Sequence, residues 1–203
     1  MTSLRFSLAA AIVLAASSAI AQNAPTTTVR ATIETVDADG AGLAVRTRGG
    51  AEAKVHIKPT TMVTLVVPAA LADVKPGAFI GVAALPGEGG ELKAMEVHIF
   101  PEAMRGTGEG FRPFDLAPGS TMTNGNIAAR VEGVDGPKLT VTYKGGQQTI
   151  AVDAKAPIVG FAPGAPNDLK PGAAIIARGE KKADGSIDAA RILVGKDGLT
   201  PPM

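Results

Sequence analysis

The sequence predicts an all-β protein built as two tandem small barrels, and three observations carry that expectation. Residues 29–99 and 126–194 are two copies of one pattern. Within each copy, apolar and polar residues alternate over short runs, the period-2 pattern of half-buried strands. The runs are separated by Gly, Pro and Asp; with 25 glycines and 15 prolines in 203 residues, the chain is rich in turn formers and nearly free of helical periodicity. The copies share landmarks in the same order. Ile33-Glu34-Thr35-Val36-Asp37 answers Val131-Glu132-Gly133-Val134-Asp135, and Leu43 to Arg48 answers Leu139 to Lys144, each followed by a Gly-Gly pair. Leu71 to Gly77 answers Pro166 to Gly172, both ending in Lys-Pro-Gly. In the last strand Leu92, Met95, Val97 and Ile99 fall on Ile187, Ala190, Ile192 and Val194.

Taken from the start, residues 1–21 have the layout of a secretory signal peptide: Arg5, an apolar stretch from Leu8 to Ala16, and Ala19-Ile20-Ala21 before Gln22. The apolar stretch is shorter than the roughly 20 residues a spanning helix needs. Cleavage is expected after Ala21, delivering a periplasmic or secreted chain with no membrane span. The first barrel is assigned to 28–100, with strands near 29–37, 43–48, 51–57, 61–67, 78–85 and 91–99. Its one helix-like stretch, Ala69 to Asp73, must stop at Pro76, which lacks a backbone donor. The second barrel is assigned to 125–196, with strands near 126–135, 138–144, 147–153, 157–161, 173–180 and 187–194, and 197–203 form a tail. Three meandering strands, a connection holding a turn of helix, and two more strands is the order of an OB-type barrel, whose closure removes exposed sheet edges. A unit this small buries only about 60% of the surface of its unfolded chain, so the copies are expected to pack together.

Between the copies lies a Gly- and Pro-rich insert, 101–124, that belongs to neither. A solvated linker would be polar and free of aromatics, yet this one holds Phe111, Phe114, Met104 and Met122 and follows Phe100. The first reading is that its aromatic side chains staple the barrels; the second is a ligand-facing loop. Arg105 and Arg112 flank Phe111 and Phe114, the one place where cations and aromatics interleave, a composition favoured at protein contacts. Arg105, Phe111, Arg112 and Phe114 are therefore the candidate interaction residues, for an envelope protein or a small ligand.

Composition narrows the chemistry. The chain has no cysteine, which excludes disulfides, thiolate metal sites and cysteine nucleophiles together. Loss of Arg5 with the signal leaves acidic and basic residues in balance, so the basic patches on which nucleic-acid binding rests are not expected. The two histidines, His56 and His98, are each flanked by apolar residues and are predicted on the outer face of the strands, with Glu96 beside His98. In an OB order the third and last strands are neighbours, so His56, His98 and Glu96, with Met95 and Met104 nearby, could hold copper or zinc. Met95 is also placed on the inward face with Val97, as a core filler. The plainer reading is two solvated histidines. Ser120 and Thr121 of the insert, were the fold to bring them near His98 and Asp115, leave a hydrolase as the remaining alternative, but no nucleophile-elbow pattern surrounds them. Gly106-Thr107-Gly108-Glu109-Gly110 lacks the strand, helix and Lys-Ser/Thr context of a phosphate loop, so no cofactor is expected.

The strand and turn motifs, carried by Ile33 to Asp37, Asp73 to Gly77 and Ala94 to Val97, and again by Val131 to Asp135, Asp168 to Gly172 and Ala189 to Ile192, resemble the bacterial domain of unknown function fifty-six sixty-six. The resemblance covers nearly all of both copies. It implies an exported small β-barrel domain and brings no catalytic residues with it. The insert from Met104 to Leu116 looks like the mark of a two-copy subgroup. The expectation is a non-catalytic binding or interaction module of the cell envelope, with metal binding through His56, His98 and Glu96 as the alternative.

Overall fold

The described residues form thirteen strands, all but the seventh on alternating runs: β1 Thr26–Val36, β2 Gly42–Thr47, β3 Glu52–His56, β4 Met62–Pro68, β5 Phe79–Pro86, β6 Leu92–Ile99, β7 Gly110–Pro113, β8 Thr121–Gly133, β9 Gly136–Tyr143, β10 Gly146–Ala151, β11 Ile158–Pro163, β12 Ala174–Lys181 and β13 Ile187–Gly195. The structure is a computed structural model that describes residues 26–133 and 136–203. The expected signal peptide, its cleavage after Ala21, and Val134-Asp135 lie outside the described residues. No helix among those described is long and apolar enough to cross a membrane.

The all-β expectation holds, but the strands close differently from two tandem barrels. β1, β2 and β3 form a meander. The far edge of β3 is met in parallel by β13, β13 pairs with β12, and β12 returns to β1. This closed five-strand ring, the first ring, takes three strands from the first copy and two from the second. The reciprocal pairings β8–β9, β9–β10, β10–β6, β6–β5 and β5–β8 close a second ring. The crossing strands are β4 and β11. They pair antiparallel with each other, and run parallel to β13 and β6 respectively.

The second ring is thus continuous in sequence, whereas the first is split around it. The expected boundaries at 28–100 and 125–196 cut across both. The physical reason is that alternation specifies which face of a strand is buried, not which strand lies beside it. Either copy's last two strands satisfy either copy's meander.

Each ring encloses its own core: Ile33, Leu43, Val45, Val55, Ile175 and Ile192 in the first, Ile80, Val82, Val97, Leu139, Val141 and Ile150 in the second, all at most 2% exposed. Each such side chain contributes about 1.5–3 kcal/mol on burial. The helix-like stretch shrinks to a 3-10 turn, Leu71–Asp73, matched by Pro166–Asp168. In each turn an aspartate accepts a backbone hydrogen bond three residues back, Ala70 N–H to Asp73 at 2.9 Å and Ala165 N–H to Asp168 at 2.8 Å. The next residues, Val74 and Leu169, plug the second and first ring.

Lys-Pro-Gly then reverses the chain. Gly77 and Gly172 sit at φ 82° and 85°, open to glycine at little cost. Their N–H groups donate to the carbonyls of Ile127 and Ile33, both at 2.8 Å. These bonds make Ile127 the structural equivalent of Ile33. Val131, its match by sequence, is instead 61% exposed, because the β8–β9 hairpin runs on as far as Gly133 opposite Gly136.

A third apolar cluster fills the angle between the rings. Val66, Val159, Ile176 and Met203 form it, with Phe114, Phe161, Leu193 and Leu199 against them. The segment after β13 is packed rather than free: Arg48 donates to the Pro201 carbonyl at 2.8 Å and Arg30 to that of Met203 at 2.9 Å.

A candidate binding groove and a buried carboxyl-histidine pair

On the second ring, Val82 and Val97 point into the core, so their neighbours along β5 and β6 point out. Register lines up the outward residues in rows. His98 lies opposite Gly81, Gly81 opposite Asn124, and Asn124 opposite Gly110; one row over, Glu96, Ala83, Met122 and Arg112 follow one another across β6, β5, β8 and β7. The expectation that Glu96 and His98 face outward is met, but they are not solvated. Glu96 is 0% and His98 4% exposed, because the rest of the molecule covers this face.

His98 Nδ1 lies 3.1 and 3.2 Å from the two Glu96 carboxyl oxygens. The imidazole packs edge-on to Phe100, with ring centroids 4.8 Å apart, and tilted against Phe161 at 5.4 Å; Phe79 backs Phe100 at 5.3 Å. Gly81 makes room for the ring: a Cβ there would collide with the imidazole and with Asn124 Oδ1. Asn124 is itself buried and donates through Nδ2 to the Thr107 carbonyl at 2.9 Å. Its Oδ1, like Thr123 Oγ1, is buried with no hydrogen-bond partner among the described residues.

The candidate metal ligands do not assemble as expected. His56 sits on β3 of the first ring, in register with Gly42 and Asp188, while His98 is on β6 of the second. The third and last strands are indeed neighbours, but the exchange makes β13, not β6, the neighbour of β3. Met95 is not on the inward face. The β5–β6 register slips between Ala83 and Ala84, opposite Glu96 and Ala94, which leaves Met95 unpaired at a bulge and half-buried. Met104 lies in the 3-10 turn Glu102–Met104. Among the described residues no group of three or more His, Asp or Glu could hold a metal ion.

Much of the insert acts as a fastening. Arg105 forks onto Glu102 at 2.6 and 2.7 Å, donates to the Gly77 carbonyl at 3.1 Å, bonds Asn126 Oδ1, and lies over the Phe79 ring. Phe114 packs into the third cluster beneath the Arg30 guanidinium, 5.8 Å from its ring centroid. Arg30 also grips Asp115 through two bonds of 3.0 and 2.8 Å. That bonding, reinforced by the guanidinium charge, holds the Asp115 carboxyl below its ordinary range. Phe111, by contrast, is 43% exposed and belongs to none of the three apolar clusters of the described residues. Ser120 is spent on a turn, its hydroxyl 2.7 Å from the Ala117 carbonyl and 3.0 Å from that of Phe114. Thr121 begins β8, so the insert ends earlier than expected.

Phe114 borders a small cavity beside Arg30 and Asp115, and Arg112 faces a larger open space. With Thr107, Gly108 and Asn124 it forms one wall of a groove of about 900 Å³. The opposite side belongs to the first ring and its connections: Arg178 to Glu180, Asp188 to Arg191, Lys58, Thr60 and Met62. Its two carboxylates are both neutralised. Asp188 binds Lys58 at 2.6 Å and Lys182 at 3.1 Å, which pull its carboxyl below the usual range, and Glu180 binds Lys182 at 3.1 Å. The arginines are not. Arg178 lies directly opposite Arg191 on β12 and β13, and neither has an ion-pair partner among the described residues. Among the described residues Arg112 donates only to the Gly108 carbonyl, at 2.6 Å; partial burial, and then the charge of Arg178, lower its affinity for its proton.

Sequence reasoning missed Arg178, Arg191 and Asn124. A signal for the two arginines was present: both stand on the outward phase of alternating strands, at positions where the other copy has Ala83 and Glu96. Compared with protein-family models, with curated proteins and with solved structures, the chain matches none.

Proposed function

We propose that the chain is an exported cell-envelope binding module, without catalysis, whose contact surface is the groove between the two rings. The observation that carries this reading is the lining of the groove. Two strands of the first ring and β7 of the insert bring Arg178, Arg191 and Arg112 to one open space, while the carboxylates there already have lysine partners. Arginine is the charged residue most often enriched at contacts. The groups with chemistry to offer are engaged elsewhere: Ser120 in a turn and the Glu96-His98 pair beneath the surface. Export rests on the signal-like layout of residues 1–21 and on the resemblance to an exported domain family.

Site-specific photo-crosslinking in cells tests this. A photoreactive residue at Thr60, exposed in the groove, is expected to give discrete envelope adducts. The same residue at Thr149, exposed on the second ring, is expected to give none. Equal crosslinking at both sites, or none at either, would sink the reading, and recovery of an uncleaved chain from the cytoplasm would remove export.

A further inference from the structure

We infer that the arginine end of the groove holds a tetrahedral oxyanion, the phosphate or sulfate group of an ester, between Arg112, Arg178 and Arg191. The inference rests on the groove being the contact surface. Three observations lead to it.

First, like charges directly opposite one another on paired strands repel, and Arg178 faces Arg191 with no ion pair to either among the described residues; the Asp115 carboxyl, which feels the charge of Arg178, is already gripped by Arg30. Second, the fold does not require the pair. At the same place beside the same bulge, the second ring carries Ala83 opposite Glu96. Third, a third guanidinium arrives from an independent element: Arg112, on β7 of the insert, is partly desolvated and feels the charge of Arg178. Nothing in the ring's construction asks the insert to add a cation there.

Geometry selects the class of anion. Each guanidinium offers a planar fork of donors suited to two oxygens. The three forks come from three different strands, two of them neighbours on one sheet face and the third from the opposite wall of the groove. A carboxylate has two oxygens in one plane and satisfies two such forks at most, whereas phosphate and sulfate present oxygens in every direction. Their double negative charge also balances three cations better than a single one. The neutralised carboxylates Glu180 and Asp188, farther along the groove, leave that stretch polar without net repulsion, suited to the uncharged body of an ester.

Calorimetric titration of the mature protein at low ionic strength tests this, with inorganic phosphate, sulfate and acetate as probes. Phosphate or sulfate is expected to bind one saturable site with Kd of about 1 mM or tighter, and acetate at least about tenfold more weakly. Arg178→Gln, Arg191→Gln and Arg112→Gln should each weaken binding about tenfold or more, the loss of a charge-assisted hydrogen bond. Arg178→Lys, which keeps the charge but not the fork, should fall between. Arg46→Gln, at an exposed arginine paired with Glu34 and Glu52, should change nothing. Tighter phosphate than sulfate assigns a phosphate ester, and the reverse a sulfate ester. The inference is overturned if no probe saturates, if acetate binds equally, or if Arg46→Gln weakens binding as much as Arg178→Gln. Thr60 adducts without oxyanion binding would overturn this inference and leave the groove standing. Oxyanion binding without adducts would do the opposite.

Discussion

In the second ring Ala83 faces Glu96; in the first, at the corresponding place beside a corresponding bulge, Arg178 faces Arg191. Two residues along, the contrast repeats: His98 stands where the other ring has Leu193, and Gly81 where it has Ile176. The backbone is the same at both places, and the surroundings differ. Over the second ring, Thr107, Phe161 and Phe100 close down on the outer face, so polar groups beneath must satisfy one another, and Glu96 finds His98. The face around Arg178 and Arg191 opens to the groove, where charge stays in contact with solvent or a ligand. At matching places in the two rings, the side chains differ with what lies over them.

The largest expected effect comes from breaking the covered pair. His98→Leu gives the second ring the residue of the first but leaves the Glu96 carboxyl buried without a partner. It should cost about 3–5 kcal/mol, read from urea denaturation. The double variant Glu96→Met/His98→Leu should recover most of that loss, since apolar replacement of a buried pair is often neutral. If the single variant were as stable as the parent, the pair would be unimportant to folding.

Next in size is the fastening of the insert. Phe114→Ala should lower stability by about 2 kcal/mol, toward the low end for a large apolar truncation because the ring is only half-buried, while Phe111→Ala should fall within about 0.5 kcal/mol. Thermal midpoints compare the two. Equal effects would mean that the insert is held evenly along its length rather than at Phe114.

A smaller effect depends on pH. Because Arg30 depresses the Asp115 carboxyl, the stability it lends is complete above the unfolded value near 3.9 and is lost as pH falls through the native one. The stability difference between the parent and Asp115→Asn should therefore stay constant from about pH 5 to 8 and close at lower pH. A difference that persisted into strong acid would assign the contact to packing rather than charge.

Smallest is Arg191→Gln, which removes a like-charge contact and should raise stability by a few tenths of a kcal/mol while weakening oxyanion binding. A loss of stability instead would mean that Arg191 is a structural residue and would narrow the contrast between the rings.

The strands were legible because alternation is local: every strand of both copies falls within a few residues of its expected place, and the Lys-Pro-Gly turns fall where proline and glycine require. β7 was not foreseen, since Gly110 to Pro113 shows no alternation and is a strand only because β8 lies beside it. Pairing was beyond reach for the same reason that register is. Two copies with one pattern offer interchangeable partners, so His56 could not be separated from His98 by inspection. Of the candidate site, Arg112 and the outward phase of Glu96 and His98 could be read. The burial of Glu96 could not, because it depends on chain arriving from elsewhere, nor could the meeting of Arg112 with Arg178 and Arg191.

The crossing strands β4 and β11 also set an order of events. A chain made from its N-terminus completes β1, β2 and β3 first, yet their closing partners β12 and β13 begin only at Ala174. The second ring, whose strands span Phe79 to Ala151, can close in the interval with shorter loops and less entropy lost. The first meander must wait with both edges of its sheet bare, the state most open to wrong pairing. The last strands to appear therefore close the ring begun by the first. Until they do, the arginine pair and the groove that it lines do not exist.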